Sequence, residues 1–318
     1  MAGGSAGLRL ATRGSALALA QARLVAGMLE GVEPGVRVEL VPVRTSGDEG
    51  SARAGTQAPS GPVPGDKSRF VKEIEDALLA GAADVAVHSA KDVPGDLPAG
   101  LEIVGVPARA DPRDALCGAG SIAALPAGAR VGTSSLRRRA QLLAAREDLE
   151  VDELRGNVDT RLRRLGQGDY DAVVLAAAGL ERLGVLAGEP VDPAVMIPAA
   201  GQGCLALEAR AGDQRVAELA AAVTDADALM ALTAERAVTA TLEASCDTPI
   251  GVHAELTGED GSELTVASFV GRPDGSAWLR DSVAGEARAP AELGLLAGER
   301  LLSAGAAEVL SSGEVKRS

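Results

Sequence analysis

The chain is poor in aromatic residues: its 318 residues include one Trp, one Tyr and two Phe, or 1%. A surface that stacks nucleic-acid bases needs several aromatic rings, so the composition argues against such a platform. Hydrophobic residues still make up 46%, and the cores must therefore consist mainly of Ala, Leu and Val. A chain of this length predicts two or three compact units rather than one.

Cysteine and histidine are also scarce. The three cysteines, Cys117, Cys204 and Cys246, are far apart in sequence and match neither a zinc-binding nor a redox spacing. Two histidines leave little scope for a His-based site, so we predict no metal. No apolar run approaches about 18 residues and the N-terminus does not resemble a signal peptide. We therefore predict a cytoplasmic protein without a membrane span.

Positive charge is limited and unevenly distributed. The net charge is −14, and a strongly negative protein repels nucleic acid and anionic membranes at long range. We therefore predict neither as a partner. An anionic ligand would need a local basic cluster, and residues 130–164 supply one, with nine arginines against six acidic residues.

Hydrophobic periodicity predicts alternating strands and helices in the first part of the chain. The predicted strands are 8–12, 36–44 and 84–89, and the predicted helices are 15–32 and 70–81. This order predicts a parallel sheet with right-handed crossovers. The stretch 45–66, rich in Gly, Ser and Pro, is long for an internal connection and is typical of a lid or binding loop.

The pattern continues and then changes. Predicted strands at 130–135, 149–154 and 170–180 alternate with predicted helices at 136–146 and 158–168, and strand 204–210 is a candidate to return to the first unit. After a helix over 225–244, three alternating strands are predicted at 251–258, 263–271 and 277–285, followed by a helix over 290–310. This last part predicts a small α+β domain.

Polar residues cluster at four strand ends, where ligands bind in open α/β sheets. The clusters are ATRGS (11–15), HSAKDVP (88–94), GTSSLRRR (132–139) and LRGNVDTR (154–161). Arginine forms paired hydrogen bonds with carboxylates. Repeated arginines at strand ends therefore indicate a ligand with several carboxylates.

Each of these residues also has a structural interpretation. Ser15 and Ser135 are equally suited to cap helices, Asp92 to form a turn, and His88 to pack in a core. Cys246 lies in the loop ASCDTPIG (244–251), but a lone cysteine is more often a small buried hydrophobic residue. The residues by themselves leave these alternatives open.

Eight motifs in order resemble those of the porphobilinogen deaminase family. The resemblance runs from about Leu8 to the end of the chain. It is clearest in LRLATRGSALALAQA, DVAVHSAKDVP, ADPRDAL, VGTSSLRRRAQL, LRGNVDTRL, DAVVLAAAGLERLG, IPAAGQG and ERAVTATLEASCDTPIG. One such motif is weak support, but eight in order along one chain argue strongly against chance.

The resemblance implies an α/β fold of three domains. Residues 1–107 with 202–223 form the first domain and residues 108–201 the second, each with a central mixed sheet and similar to type II periplasmic binding proteins. Residues 224–318 form a small α+β third domain that carries the cofactor cysteine. The active site is expected between the first two domains.

The resemblance also implies a transferase with hydroxymethylbilane synthase activity. Four porphobilinogen molecules are condensed in turn, each with loss of ammonia, and hydrolysis releases the linear hydroxymethylbilane. A dipyrromethane cofactor is expected to be bound covalently through a thioether to Cys246. Porphobilinogen is the expected small-molecule partner, and the family suggests a monomer.

The resemblance assigns roles to individual residues. Asp92 matches the catalytic carboxylate. The residues expected to contact the cofactor are Cys246, Ser89, Lys91, Asp92, Thr133, Ser135, Arg137 and Arg138. Those expected to contact the substrate are Arg13, Ser15, Gln21, Lys67, Arg155, Asn157, Arg161 and Arg182. Two departures from the family stand out: PGDKSRF (64–70) lacks the usual GGKG-like pattern, and Ser245 precedes the cysteine where glycine is common.

Two other functions are compatible with parts of the sequence. A non-catalytic polycarboxylate-binding protein of the periplasmic-receptor type would need the arginines but neither Asp92 nor Cys246. A cysteine hydrolase or transferase would need Cys246 within reach of His88 or His253. The ordered motifs favour the deaminase over both.

Overall fold

The computed structural model describes residues 7–43, 69–245, 247–258 and 261–311. The chain divides into two compact units, residues 1–109 with 204–229 and residues 110–203 with 230–318. The first unit thus combines two separate chain segments. The division of the second unit into two domains, at 108–201 and 224–318, stays a prediction.

The first segment of the first unit alternates strands and helices. Its elements are β1 (Gly7–Arg13), α1 (Ala16–Val32), β2 (Arg37–Val43), α2 (Arg69–Leu79), β3 (Val85–Ser89) and β4 (Leu101–Gly105). The five predicted elements are confirmed, and β4 is additional. Residues 44–68, which hold the predicted 45–66 connection and Lys67, lie outside the described residues.

The segment 110–203 contributes the next eight elements. They are β5 (Asp114–Cys117), β6 (Arg130–Gly132), α3 (Leu136–Ala145), β7 (Glu150–Asp152), α4 (Val158–Gly166), β8 (Ala172–Ala176), α5 (Ala177–Arg182) and β9 (Glu189–Pro190). The segment 170–180 is predicted as a strand that enters a turn; the strand is confirmed over Ala172–Ala176, but the predicted turn is wrong, because α5 follows directly. The residues AAGLER contain good helix formers, and as a helix they bury Ala178 and Leu180.

The remaining elements complete the first unit and form the C-terminal part. They are β10 (Leu205–Arg210), α6 (Gln214–Ala222), α7 (Ala226–Thr241), β11 (Ile250–Thr257), β12 (Glu263–Gly271), β13 (Trp278–Glu286), α8 (Pro290–Ser303) and α9 (Ala306–Ser311). The single helix predicted over 290–310 is wrong. It breaks at Gly305, whose φ of +98° is one that L residues rarely adopt.

The first sheet has the strand order β2-β1-β3-β10-β4. β1, β2 and β3 run parallel as predicted, and β10 returns antiparallel between β3 and β4. Alternation along β1 separates two cores: Leu8 and Leu10 pack with residues of α1, whereas Ala11 packs with Ile74 and Leu78 of α2. The sheet is therefore mixed and covered on both faces.

The second unit contains two sheets. One has the order β7-β6-β8-β5-β9, with β6 parallel to β7 and β8 and with β5 antiparallel to β8 and β9. The other is the antiparallel sheet β11-β12-β13, which shares an aliphatic core with α7 and α8. An α/β fold with two mixed sheets and a C-terminal α+β part is thus confirmed.

Candidate functional site

The first group of candidate residues lies at one edge of the first sheet. β1 ends at Arg13 and β3 ends at Ser89. Since these strands are parallel neighbours, their carboxyl ends meet at the same edge. The structure therefore brings Arg13 and Ser15 to the edge that carries the segment Ser89–Asp92, as the sequence predicted.

Ser15 caps the helix that follows β1. Its Oγ accepts a hydrogen bond from the backbone N–H of Ala18 at 3.3 Å, in extended N-cap geometry. The structural interpretation of Ser15 is therefore confirmed. A contact between Ser15 and the substrate stays a prediction.

Gln21 and Ser89 contact each other across this edge. Gln21 is 4% exposed, and its Nε2 donates to Ser89 Oγ at 3.0 Å. The pair joins the first turns of α1 to the end of β3. The two residues were predicted separately as substrate and cofactor contacts, and the structure places them side by side.

Lys91 and Asp92 belong to a one-turn 3₁₀ helix, Ala90–Asp92, that directly follows β3. Both side chains are half-buried. The turn is closed by the N–H of Val93, which donates to the carbonyl of Ala90 at 3.2 Å. Asp92 thus occupies a fixed turn at the sheet edge, which suits either interpretation of this residue.

The second group lies at the carboxyl edge of the second sheet. β6, β7 and β8 are parallel, and Ser135 and Asn157 cap the helices that follow β6 and β7. Ser135 Oγ accepts from Arg138 N at 3.4 Å, and Asn157 Oδ1 accepts from Thr160 N at 3.1 Å. The buried Thr133 accepts a hydrogen bond from the N–H of Ser135 at 3.2 Å. Strand order therefore gathers the predicted hydroxyl and amide groups of this edge.

Arg137 and Arg138 converge on one buried carboxylate, Asp114 on β5. Nη1 of Arg137 lies 2.6 Å from Asp114 Oδ2, and Nε of Arg138 donates to Oδ1 at 2.9 Å. Two donors reach backbone carbonyls: Nη1 of Arg137 also donates to Ile197 at 2.7 Å, and Nη1 of Arg138 to Val174 at 2.8 Å. The buried Nε of Arg137 has no hydrogen-bond partner among the described residues. Their guanidinium groups thus have partners within the protein.

In this cluster, burial and the neighbouring charges have opposite effects on the pKa of Asp114. Burial alone would raise the pKa of Asp114, but the two guanidinium groups outweigh it and hold that pKa well below its usual range. Burial and the neighbouring Arg137 lower the pKa of Arg138. Two positive charges against one negative charge leave the cluster net positive, which favours an anion nearby.

Arg161 is half-buried. Its Nε donates to the carbonyl of Gly156 at 2.8 Å, and its Nη2 donates to Ser134 Oγ at 3.2 Å. Burial, with a smaller repulsion from Arg138, lowers the pKa of Arg161 to about 10. A guanidinium whose described partners are neutral oxygens is suited to pairing with a ligand carboxylate.

Two other predicted arginines make contacts inside the protein. Arg155 is exposed, and its Nε donates to Glu153 Oε1 at 2.7 Å. Nη2 of Arg182, at the end of α5, donates to the carbonyl of Gly203 at 2.6 Å. Whether either arginine contacts substrate stays a prediction.

Cys246 itself lies outside the described residues, but its neighbours form a turn. The N–H of Ser245 donates to Thr248 Oγ1 at 2.8 Å, and the N–H of Thr248 donates to the Ser245 carbonyl at 3.0 Å. In the described part of the chain, Glu243 is the single non-glycine residue with positive φ. Ser245 therefore needs no glycine-like backbone and is tolerated at this position, as the sequence suggested.

The other two cysteines are buried. Cys117 and Cys204 are 2% and 1% exposed. Burial raises the pKa of the Cys117 thiol to about 11. A protonated, inaccessible thiol is a poor nucleophile, so Cys117 is poorly suited to covalent attachment of a ligand.

Both histidines pair with carboxylates. His88 is 6% exposed, and its Nε2 lies 2.9 Å from Glu208 Oε2, which confirms the packed interpretation of this residue. Nδ1 of His253 lies 3.6 Å from Oε1 of the buried Glu235. Within the described segments no cluster of His, Cys, Asp and Glu is arranged to hold a metal ion. None of the helices described is long and apolar enough to span a membrane.

Several residues of these edges were missed from sequence. Asp114, Ser134, Gln202 and Glu208 support predicted site residues but were given no role. Gln202 donates from Nε2 to Asp114 Oδ1 at 3.0 Å. Signals existed for some of them: Asp114 and Gln202 lie in the quoted motifs ADPRDAL and IPAAGQG, and Glu208 is a charged residue within an apolar strand.

Two family models match this chain. The model of the porphobilinogen deaminase dipyromethane cofactor binding domain matches residues 8–218. The model of the porphobilinogen deaminase C-terminal domain matches residues 229–303. Together they span nearly all of the chain from the first strand to α8.

Curated relatives are similar over almost their whole length. The chain is 48% identical to a porphobilinogen deaminase of Syntrophobacter fumaroxidans over 308 residues, covering 95% of this chain and 96% of the relative. It is 47% identical to a porphobilinogen deaminase of Roseiflexus castenholzii, covering 96% and 98%.

Distant similarity to solved structures is also found. A periplasmic substrate-binding protein of an ABC transporter from Coxiella burnetii has a TM-score of 0.41 at 15% identity, covering 68% of this chain and 91% of that one. Immunogenic lipoprotein A from Vibrio vulnificus has a TM-score of 0.41 at 13% identity, covering 70% and 96%.

Proposed function

This chain belongs to the porphobilinogen deaminase family, and from that premise we propose how its residues divide the work of hydroxymethylbilane synthesis. The enzyme is a transferase that joins four porphobilinogen molecules, each with loss of ammonia, and releases the linear product by hydrolysis. The observation that carries the assignment is the similarity to porphobilinogen deaminases over almost the whole of both chains.

Dipyrromethane, when bound, supplies the pyrrole to which the first substrate unit is joined. The thiol of Cys246 would hold it through a thioether. Its carboxylates suit the second sheet edge, where the cluster of Arg137, Arg138 and Asp114 is net positive. The remaining proposed contacts are Ser89, Lys91, Asp92, Thr133 and Ser135.

Asp92 is proposed as the catalytic carboxylate. Expelling ammonia requires a proton at the amine, and the cation left on the substrate requires a nearby negative charge. The pyrrole that attacks must then lose a ring proton to an acceptor. One half-buried carboxyl on a short turn can donate the first proton, stabilise the cation and accept the last proton.

Substrate carboxylates are proposed to be shared among many polar groups. Each porphobilinogen carries an acetate and a propionate, so a growing chain needs several cationic partners. The proposed set is Arg13, Ser15, Gln21, Lys67, Arg155, Asn157, Arg161 and Arg182. Several groups bind the substrate carboxylates together, whereas a single carboxyl group is proposed to transfer the protons. Loss of Asp92 should therefore lower kcat far more than loss of any one arginine. We further propose a monomer that works in the cytoplasm.

The covalent cofactor is tested by intact mass. Purified protein should exceed the sequence mass by two pyrrole units, and acidic Ehrlich reagent should colour it. Protein that consumes porphobilinogen at the bare sequence mass would contradict covalent attachment.

The attachment point is tested by three matched variants. Cys246→Ser should abolish the mass increase, whereas Cys117→Ser and Cys204→Ser should keep it because both thiols are buried. A mass increase that persists in Cys246→Ser and disappears in Cys204→Ser would show that the cofactor is attached to Cys204 instead.

A further inference from the structure

A buried histidine–glutamate pair lies beneath the strand that leads to Asp92. Ala206 of β10 is the register partner of His88, and Glu208 is the partner of Ala86, so His88 and Glu208 are diagonal neighbours on one face of the sheet. Nε2 of His88 lies 2.9 Å from Oε2 of Glu208. The two residues are 6% and 0% exposed, so the pair is shielded from solvent.

A second carboxylic acid approaches this pair from α2. Glu75 is 7% exposed and follows Ile74, which packs on the same sheet face against Ala11 and Ala86. The small side chains of these alanines leave room between sheet and helix for larger polar groups. Oε1 of Glu75 and Oε1 of Glu208 accept no hydrogen bond from any described group.

Ionisation of Glu75 is disfavoured beside this pair. Burial, followed by repulsion from Glu208, raises the pKa of Glu75, while His88 opposes the shift. Isolated charges are costly inside a protein, so the buried position of Glu75 favours its neutral form. A protonated Glu75 is also a hydrogen-bond donor, which fits the unmatched acceptor oxygens around it.

The end of β3 is held from three directions. On the sheet face that α2 covers, His88 contacts Glu208. On the opposite side, Gln21 of α1 donates a 3.0 Å hydrogen bond to Ser89. The N–H of Ala90 donates to the carbonyl of Cys204 at 3.0 Å, which ties the start of the 3₁₀ turn to β10. Asp92 ends that turn, only four residues after His88.

We propose that His88, Glu208 and Glu75 are positioning residues: their buried cluster fixes the end of β3 and thereby the direction in which Asp92 points. This inference rests on the proposed role of Asp92. The cluster acts through the backbone and touches no substrate, so its loss should lower kcat more than it raises KM. Small displacements of a reacting group have large kinetic costs.

Three glutamine variants of the cofactor-loaded enzyme test the proposal. Glu208→Gln or His88→Gln changes one member of the buried pair, and each should lower kcat about tenfold with KM nearly unchanged. The glutamine amide nitrogen reaches about as far as Nε2 of histidine. The double variant therefore restores a neutral hydrogen bond and should recover most of the lost kcat.

Glu218→Gln is the matched control, because Glu218 is an exposed glutamate on α6 of the same unit. Its kcat and KM should equal those of the wild type. Thermal unfolding of every variant is measured alongside. Should a single variant fail to fold, the double variant decides: wild-type-like kcat supports the proposal, and a kcat lowered tenfold or more overturns it.

The outcomes separate this proposal from the proposed function. Wild-type protein that consumes no porphobilinogen would overturn the function, and with it this inference. An active wild type with unchanged kcat in both single variants would overturn the inference alone. The inference alone would also be overturned if the single variants raised KM without lowering kcat. It would likewise be overturned if the kcat of the double variant were no higher than that of the single variants.

Discussion

Asp114 and Arg137 form a buried ion pair with two hydrogen bonds, from Nη1 to Oδ2 at 2.6 Å and from Nη2 to Oδ1 at 3.0 Å. Arg138 shares the same carboxylate, with Nη2 2.8 Å from Oδ1. The cluster ties β5 to the start of α3 and, through the Ile197 carbonyl, to the segment before β10. Arginines predicted as ligand contacts are therefore also part of the fold.

Asp114→Asn should destabilise the protein severely. Removing one partner of a buried ion pair leaves uncompensated charge, and the expected cost is about 3–5 kcal/mol in the free energy of unfolding. Urea denaturation measures it. The control is Asp148→Asn, which breaks an exposed pair with Arg146 and should have little effect. Equal effects of the two variants would show that the Asp114 cluster is not a determinant of stability.

Arg161→Lys should weaken substrate binding. Lysine cannot form the paired hydrogen bonds of a guanidinium, so KM for porphobilinogen should rise about tenfold while kcat changes less. Steady-state kinetics separate the two constants. Arg164→Lys on the same helix is the control, because Arg164 pairs with Asp169 and not with a ligand in our proposal. If KM is unchanged in Arg161→Lys, Arg161 does not bind substrate.

Glu75→Gln should change how stability depends on pH. The folded state raises the pKa of Glu75 above its ordinary value of 4.5, so the folded protein keeps this proton to a higher pH than the unfolded chain. Wild-type stability therefore falls, relative to the variant, as pH rises from that value to the raised pKa. Below pH 4 the variant and wild type should differ little.

Urea denaturation across the pH series checks this expectation. The advantage of Glu75→Gln should grow from acidic to neutral pH and then level off. An advantage that shrinks with rising pH would mean that Glu75 is ionised and paired in the folded state. Glu218→Gln again controls for the loss of one carboxylate.

Two glycine-to-alanine substitutions should have opposite effects on the stability of the fold. A Cβ built on Gly294 of α8 would lie 2.7 Å from the Cβ of Ala237 on α7, so Gly294→Ala should cost about 1–3 kcal/mol through overpacking. A Cβ on Gly27 of α1 meets no described atom within 4 Å, so Gly27→Ala should stabilise by about 0.5–1 kcal/mol. Thermal unfolding measures both. A tolerated Gly294→Ala would show that α7 and α8 can move apart at little cost.

Much of the fold could be predicted from local pattern. The parallel strands β1, β2 and β3 follow from periodicity, and Ser15 and Ser135 cap helices because a cap depends on only a few consecutive residues. α5 was missed because AVVLAAAGL (172–180) contains no charged or polar side chain, and such a run does not mark where a buried strand becomes a helix. Asp213, which caps the missed α6, was a readable signal.

The site was harder to predict because its partners are distant in sequence. An arginine pattern does not tell whether a guanidinium meets a ligand or a buried carboxylate 23 residues away, as Arg137 meets Asp114. His88 and Glu208 are 120 residues apart, and only sheet register brings them together. Their positions at strand ends predicted where the polar groups lie, but not which of them form hydrogen bonds or ion pairs with each other.

The position of β10 has a consequence for synthesis on the ribosome. Among the described strands, β4 pairs with β10 alone, and β10 also pairs with the side of β3 that faces away from β1. A nascent chain therefore carries an unfinished first sheet while residues 110–203 are translated. Chaperones that bind exposed strand edges should associate with nascent chains that end before residue 205 and release them once residue 210 has emerged.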